Sequence, residues 1–306
     1  MRISSRSLSG PKRRAPGQRP DILSSAKQHG PASDARPRTV IGAQPADALD
    51  QRQRMAVTPC PQGSVAGSST VVTVADCQRV QTNWYRLRAE TCGGEVWTDG
   101  PLTWIDGPDG HNLMFPTDMT AAAVSRGVER ARDRGLTIVG AWLDPGVDPT
   151  PLAEAGFTRG WSPWWMTADL SDTVGCPDPR VELQVETSDY QDEDPDYRKL
   201  LAVARRQPTR AWYAAAYTAR ARRFAGRAWS FLDGDLAGVF DMDVWEPFRR
   251  RRFGTGLLHA VCAAARRAGA RHAVLNATPE GKLLYSSSGF TQIGEGITWW
   301  HHLGSR

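Results

Sequence analysis

The sequence predicts an α/β protein with mixed sheets, in which one unit of alternating helices and strands occurs twice behind a disordered leader. Three observations carry this reading. Helical and strand periodicities alternate from Val71 to the C terminus. Gly156-Phe157-Thr158 followed by Trp164-Trp165 recurs as Gly289-Phe290-Thr291 followed by Trp299-Trp300, each time after a helix, a strand, a proline-containing turn and a short helix. From Met1 to about Thr70 the chain is rich in Pro, Gly, Ser, Gln and Arg, and it has too little apolar surface to offset the entropy of ordering.

The leader's arginines and serines resemble those of a transit peptide, but Pro11, Pro16, Pro20, Pro31 and Pro37 would break the amphipathic helix such a peptide needs. Met55 is an alternative start. Patterned structure begins with a helix over Ala75–Glu90 and short strands over Glu95–Trp97, Leu102–Ile105 and Asn112–Phe115, separated by Asp-Gly turns. A helix over Thr120–Arg134, a buried strand over Thr137–Trp142, a short helix ending at Ala155 and a strand over Trp164–Leu170 complete the first unit. After a Pro/Asp-rich linker at Ser171–Arg180, the second unit reads as a strand over Val181–Val185 and helices over Tyr197–Arg206 and Arg210–Phe224. Strands over Ala228–Leu232 and Leu236–Val244 and a helix over Thr255–Ala268 follow. A strand over Ala273–Asn276, a helix over Gly281–Ser288 and a strand over Ile297–His301 close it.

Bulk properties exclude several classes. Of 306 residues 40% are hydrophobic, enough for ordinary cores, yet no apolar run approaches the roughly 20 residues of a membrane span. The first residues lack the apolar region of a secretory signal. Cys60, Cys77, Cys92, Cys176 and Cys262 form no C-x-x-C pair, so neither a disulfide framework nor a zinc site is encoded, and a cytoplasmic location is expected. Residues 1–54 hold eleven Lys or Arg and four Asp, a net +7 against +5 for the whole chain, so the remainder carries −2. The basic balance belongs to the leader, which argues against a nucleic-acid-binding body.

The chemistry concentrates in Val244–Leu258, V-W-E-P-F-R-R-R-R-F-G-T-G-L-L, a strand running into an arginine and glycine turn that opens a helix. Unpaired backbone N–H groups and the helix dipole suit such a start to an anion such as pyrophosphate. Val244, Arg249 five residues on, Arg252 three further and Gly254 two beyond resemble the acyl-CoA-binding motif V-x-x-x-x-[QR]-x-x-G-x-[GA] of the GNAT superfamily of N-acyltransferases. The resemblance spans Val181 to about Leu303 and includes Leu257-Leu258, the stretch from Ala277 to Gly281, Leu284-Tyr285 and Gly289-Phe290. It implies a tandem GNAT-like fold: a leader over 1–70, a degenerate GNAT-like domain over 71–173 and an acyl-CoA-binding domain over 180–304. Arg252 stands where the motif has its first glycine. A competing register, Arg251-x-x-Gly254-x-Gly256, keeps both glycines but puts Glu246 where the valine belongs.

The resemblance implies transfer of an acetyl group from acetyl-CoA to an amine acceptor, a small molecule, without a metal. Tyr285 would be the general acid for the departing thiolate. Met242 and Val244 would offer backbone groups to pantetheine; Arg249, Arg250, Arg251, Arg252, Gly254 and Thr255 would hold the pyrophosphate; Asn276 and Thr278 would flank the cofactor. Tyr285 also reads as a core aromatic, and Asp241, Asp243 and Glu246 are all candidates for the base, the first two on one face of an ideal strand. The first unit has Leu152 in place of Tyr285 and no arginine-glycine turn, which reads as a non-catalytic shell. Only one hairpin is expected between Phe224 and Val244, a shortened wall for the acceptor. That and Arg252 motivate the rival reading, a catalytically impaired module that binds acyl-CoA or regulates. Cys262 reads as core, His301 and His302 point to opposite strand faces, His259 reads as solvent-facing, and Trp245 is the tryptophan best placed for function.

Overall fold

Thr73 caps the first helix, α1 (Val74–Cys92): its hydroxyl accepts from the Asp76 N–H, and the Asp76 carboxylate accepts from the Thr73 N–H in return. Gly93, at φ 77°, ends it in the left-handed conformation. In the computed structural model residues 71–108, 110–171, 177–183 and 195–304 are described; the expected leader over 1–70 lies outside them, as do parts of the linker and of the strand read over Val181–Val185.

Strands β1 (Val96–Asp99), β2 (Leu102–Gly107) and β3 (Gly110–Met114) form an antiparallel meander, followed by α2 (Ala121–Asp133), β4 (Ile138–Leu143), α3 (Thr150–Glu154), β5 (Thr158–Arg159) and β6 (Trp164–Asp169). The second half runs β7 (Val181–Leu183), α4 (Pro195–Arg205), β8 (Ala211–Tyr217), β9 (Phe224–Asp233), β10 (Leu236–Val244), a 3-10 turn at Glu246–Phe248, α5 (Phe253–Arg267), β11 (His272–Ala277), α6 (Pro279–Ser287), β12 (Thr291–Glu295) and β13 (Ile297–His302).

The two halves exchange strands. One sheet has the order β1-β2-β3-β4-β13-β5 and the other β12-β6-β11-β10-β9-β8-β7. Thus β6, last strand of the first half, pairs with β11 from His272↔Asp169 to Ala277↔Trp164, while β13 pairs with β4 from Ile297↔Leu143 to His302↔Ile138. Residues 68–306 accordingly form a single compact unit, and the division into 71–173 and 180–304 is crossed twice. The repeated triplets occupy equivalent places. Gly156 and Gly289 have φ 87° and 92°, and the N–H groups of Phe157 and Phe290 donate to Leu152 and Tyr285 respectively.

The segment Arg210–Phe224, expected as a helix, is instead the strand β8 and a turn. Alanine favours helices, but all seven residues of β8 are buried, and their side chains alternate between two cores. Trp212, Ala214 and Ala216 face the core under α5, and Ala211, Tyr213, Ala215 and Tyr217 face the opposite one. Burial on both faces overrides propensity. A full meander β8-β9-β10 therefore precedes the turn, and the shortened hairpin expected from the sequence does not occur.

The first half buries a charged group. His111, fully buried and stacked 4.6 Å from Trp104, hydrogen-bonds Asp106, whose other oxygen lies 2.7 Å from Arg134 Nε. Burial alone would raise the Asp106 carboxyl; the His111 hydrogen bond and charge, with Arg134 and Arg130, outweigh it and hold it below the ordinary carboxylate range. A depressed carboxylate gives stability that is complete above its unfolded value, near 4, and lost as pH falls through the folded value. Asp106→Asn is expected to cost about 3 kcal/mol, lowering Tm by roughly 6–12 °C at pH 7, and to flatten the acid limb of a Tm-against-pH series.

No helix among the described residues is long and apolar enough to cross a membrane.

Candidate active site

Parallel strands β10 and β11 pair at only three positions, Leu236↔His272, Ala237↔Ala273 and Gly238↔Val274. Beyond these they part. β11 stays with β6 as far as Ala277, and β10 stays with β9 as far as Val244. Between Phe240 and Asp243 the β9–β10 register slips, with Asp241 at φ 47°, and such a bulge bends and twists the strand away from its former neighbour. Two strand edges thus face an opening, where main-chain groups can pair with a ligand. In the first sheet the corresponding pair, β3 and β4, remains paired from His111↔Val139 to Met114↔Trp142, and Phe115 N–H still donates to Trp142. Among the described residues only the second sheet opens in this way.

At the end of β10 the chain makes its 3-10 turn, with Phe248 buried edge-on to Phe253, and so turns Arg249, Arg250, Arg251 and Arg252 outward, all exposed. Arg252 is the N-cap of α5 at φ 65° and supplies no side-chain cap; Arg250 has φ 63°. Both are conformations that glycine adopts most readily. The first-turn N–H groups of α5 have no acceptor within the helix. Arg249 folds back: its Nε donates to the Val244 carbonyl at 2.8 Å and its Nη2 lies 3.8 Å from Asp243. Met242 is half-buried in the bulge, and Thr255 is exposed in the first turn. A Cβ on Gly254 would lie 2.9 Å from Leu284 Cδ2, so glycine there lets α6 approach the start of α5.

Thr278 caps α6, its hydroxyl accepting from Gly281 N–H at 3.2 Å. Tyr285, 8% exposed, lies with its ring against Gly281, 5.9 Å from Phe290, in the core that α5 shares with the sheet. Burial, with the neighbouring Cys262 thiol, pushes its phenol above the ordinary tyrosine range. A phenol held protonated can donate but is a poor base. Cys262 is itself buried, its thiol pushed up to about 12 by burial, which leaves it no nucleophilic character near neutral pH.

The bulge breaks the strand alternation on which a shared face for Asp241 and Asp243 was expected. Asp241 lies 3.8 Å from Arg88 Nη1, and Asp243 beside Arg249. Trp245 packs edge-on to Phe224 and under Arg227. His301 Nδ1 sits 2.7 Å from the Gly156 carbonyl, a contact that ties β13 to the first half. Among the described residues no group of three or more His, Cys, Asp or Glu could hold a metal ion.

Sequence reasoning missed what lies over the opening: helix α1 of the first half. Gln81, 1% exposed, accepts from Asn276 Nδ2; Trp84 stacks on Phe240 at 5.3 Å; Arg88, 3% exposed, reaches Asp241. The available signal was a glutamine and an arginine on the same helical face as Val80 and Trp84.

No protein-family model matches the sequence, and comparison with curated proteins finds no match. Solved structures do match. A GCN5-related N-acetyltransferase from Kribbella flavida superposes with a TM-score of 0.51 at 14% identity, over 76% of this chain and 98% of that one. A functionally unknown conserved protein from Staphylococcus epidermidis gives 0.50 at 13% identity, over 69% and 95%. The fold is that of the GCN5-related N-acetyltransferases.

Proposed function

We propose that this protein transfers an acetyl group from acetyl-CoA to an amine acceptor, a small molecule, in the second of two GNAT-like units, and that it does so in the cytoplasm. The observation that carries the reading is the parting of β10 from β11 beside the start of α5. Pantetheine is an extended chain with two amides, and its groups suit the strand edges that part there, including main chain of Met242 and of Val244, whose carbonyl Arg249 holds. Pyrophosphate suits the open N–H groups and exposed arginines at Arg249–Thr255. The residues therefore fit acetyl-CoA, which supplies an activated acyl group when bound. The shared fold supports the same reading.

In this reading Arg250, Arg251 and Arg252 neutralise the phosphates, Gly254 keeps α6 close to the cofactor turn, and Asn276 stands on the opposite flank. Arg249 holds the end of β10 in place through the Val244 carbonyl. The Tyr285 phenol gives its proton to the departing thiolate. Of the candidate bases, Asp241 and Asp243 both lie at the bulge. Incubation with acetyl-CoA and a panel of primary amines tests the reading: thiol release that depends on one amine is expected, and none across a broad panel from folded protein would count against it.

The rival, an impaired acyl-CoA-binding or regulatory module, draws on Arg252, a bulky residue in a left-handed conformation. Arg252→Gly discriminates. Relief of the left-handed strain should stabilise the fold by about 1 kcal/mol in a denaturant titration. A large gain in thiol release would mark a damaged turn, whereas unchanged turnover would show that arginine serves there.

A further inference from the structure

Helices α5 and α6 pack on one face of the second sheet and α1 on the other. Along β11, Leu275 belongs to the core under α5 while Val274 belongs to the core under α1, so Asn276, two residues after Val274, falls on the α1 face. A ligand anchored at the turn before α5 and laid between β10 and β11 brings its far end to that face. What waits there comes from the first half of the chain. A Cβ on Gly238, the last residue of β10 paired with β11, would lie 2.7 Å from Val80 Cγ1, so α1 sits directly on the point where the strands part.

One residue later on α1 is Gln81. Its Oε1 is occupied by Asn276, but its Nε2 is buried and has no hydrogen-bond partner among the described residues. Trp84, Trp165 and Phe240 are in the same apolar surroundings. A buried amide donor without an acceptor is costly, and a carbonyl oxygen reaching it in a site of low polarity gains the full benefit of the bond. Arg88, the other polar residue of this helix face, is turned toward Asp241.

We propose that Gln81, supplied by the first half, donates its Nε2 hydrogen to the acyl carbonyl oxygen of the thioester carried in the opening of the second half; this rests on the acetyltransferase reading. The first half then completes the acyl site, and the Asn276 bond fixes the orientation of the glutamine amide.

Calorimetric titration of the full chain with acetyl-CoA and with S-ethyl-CoA, the thioether that lacks the carbonyl, tests this. Wild type should bind acetyl-CoA about tenfold more tightly, and Gln81→Met should erase the difference while leaving S-ethyl-CoA affinity within about twofold. Equal affinities in wild type, or a proportionate loss for both ligands in Gln81→Met, overturns the proposal while leaving acyl-CoA binding intact. Wild type binding neither ligand sinks the acetyltransferase reading itself. Should Gln81→Met fail to fold, the wild-type comparison decides alone.

Discussion

Truncation after Gly296 is expected to unfold the first sheet rather than the second. β13 fills the slot between β4 and β5, pairing with six consecutive residues of β4 and burying Thr298 completely. Its removal leaves β4 with an open edge along its whole length, exposes the core around Leu143, Leu152 and Phe157, and removes Leu303 from that core. The loss is comparable with the whole stability of a typical domain, about 5–15 kcal/mol. Amide hydrogen exchange reads the location: Val139–Leu143 should lose protection, while β8 and β9, which have no contact with β13 in the sheet order, should retain more of theirs. Loss confined to β11 and β12 would mean that the C-terminal strand belongs to its own half. By the same logic neither half should fold when expressed alone, since β6 is equally foreign to the sheet it completes.

If the phenol is the acid proposed above, Tyr285→Phe is expected to lower kcat by about 10²–10³ with little change in acetyl-CoA affinity, because its proton is needed only as the thiolate leaves. The ring fills a buried space against Gly281 and Phe290, and phenylalanine fills it equally, so stability should change little. Since the phenol sits above the ordinary tyrosine range, it remains protonated through pH 10, and no alkaline decline of kcat from this group should appear below that. A variant with unchanged kcat would return Tyr285 to a packing role. A fall in kcat matched by a fall in Tm would point the same way.

Local chemistry was legible in the sequence, and pairing over long distances was not. The two Gly-Phe triplets foretold two equivalent turns because a left-handed glycine and a buried phenylalanine are local requirements. The Trp164-Trp165 and Trp299-Trp300 pairs foretold two equivalent strands, but a strand's own residues do not say which sheet it joins, and here each joins the other half's. β8 was misread because Ala214, Ala215 and Ala216 carry a helical preference, while the burial that defeats it comes from α5 on one side and aromatic rings on the other. β12 went unseen: it is a short, largely exposed edge with Gly294 inside it. At the site, the arginine turn and Tyr285 stood out as motif positions. Gln81 and Arg88 did not, since their meaning depends on Asn276 and Asp241 more than 150 residues away.

The stoichiometry of acetyl-CoA binding tests the proposal most directly, because it asks which of the two sheets offers an opening. Calorimetric titration of the full chain should give one site per chain, since β10 and β11 part while β3 and β4 stay paired to their ends. Two equivalent sites, or no binding at all by folded protein, would contradict it.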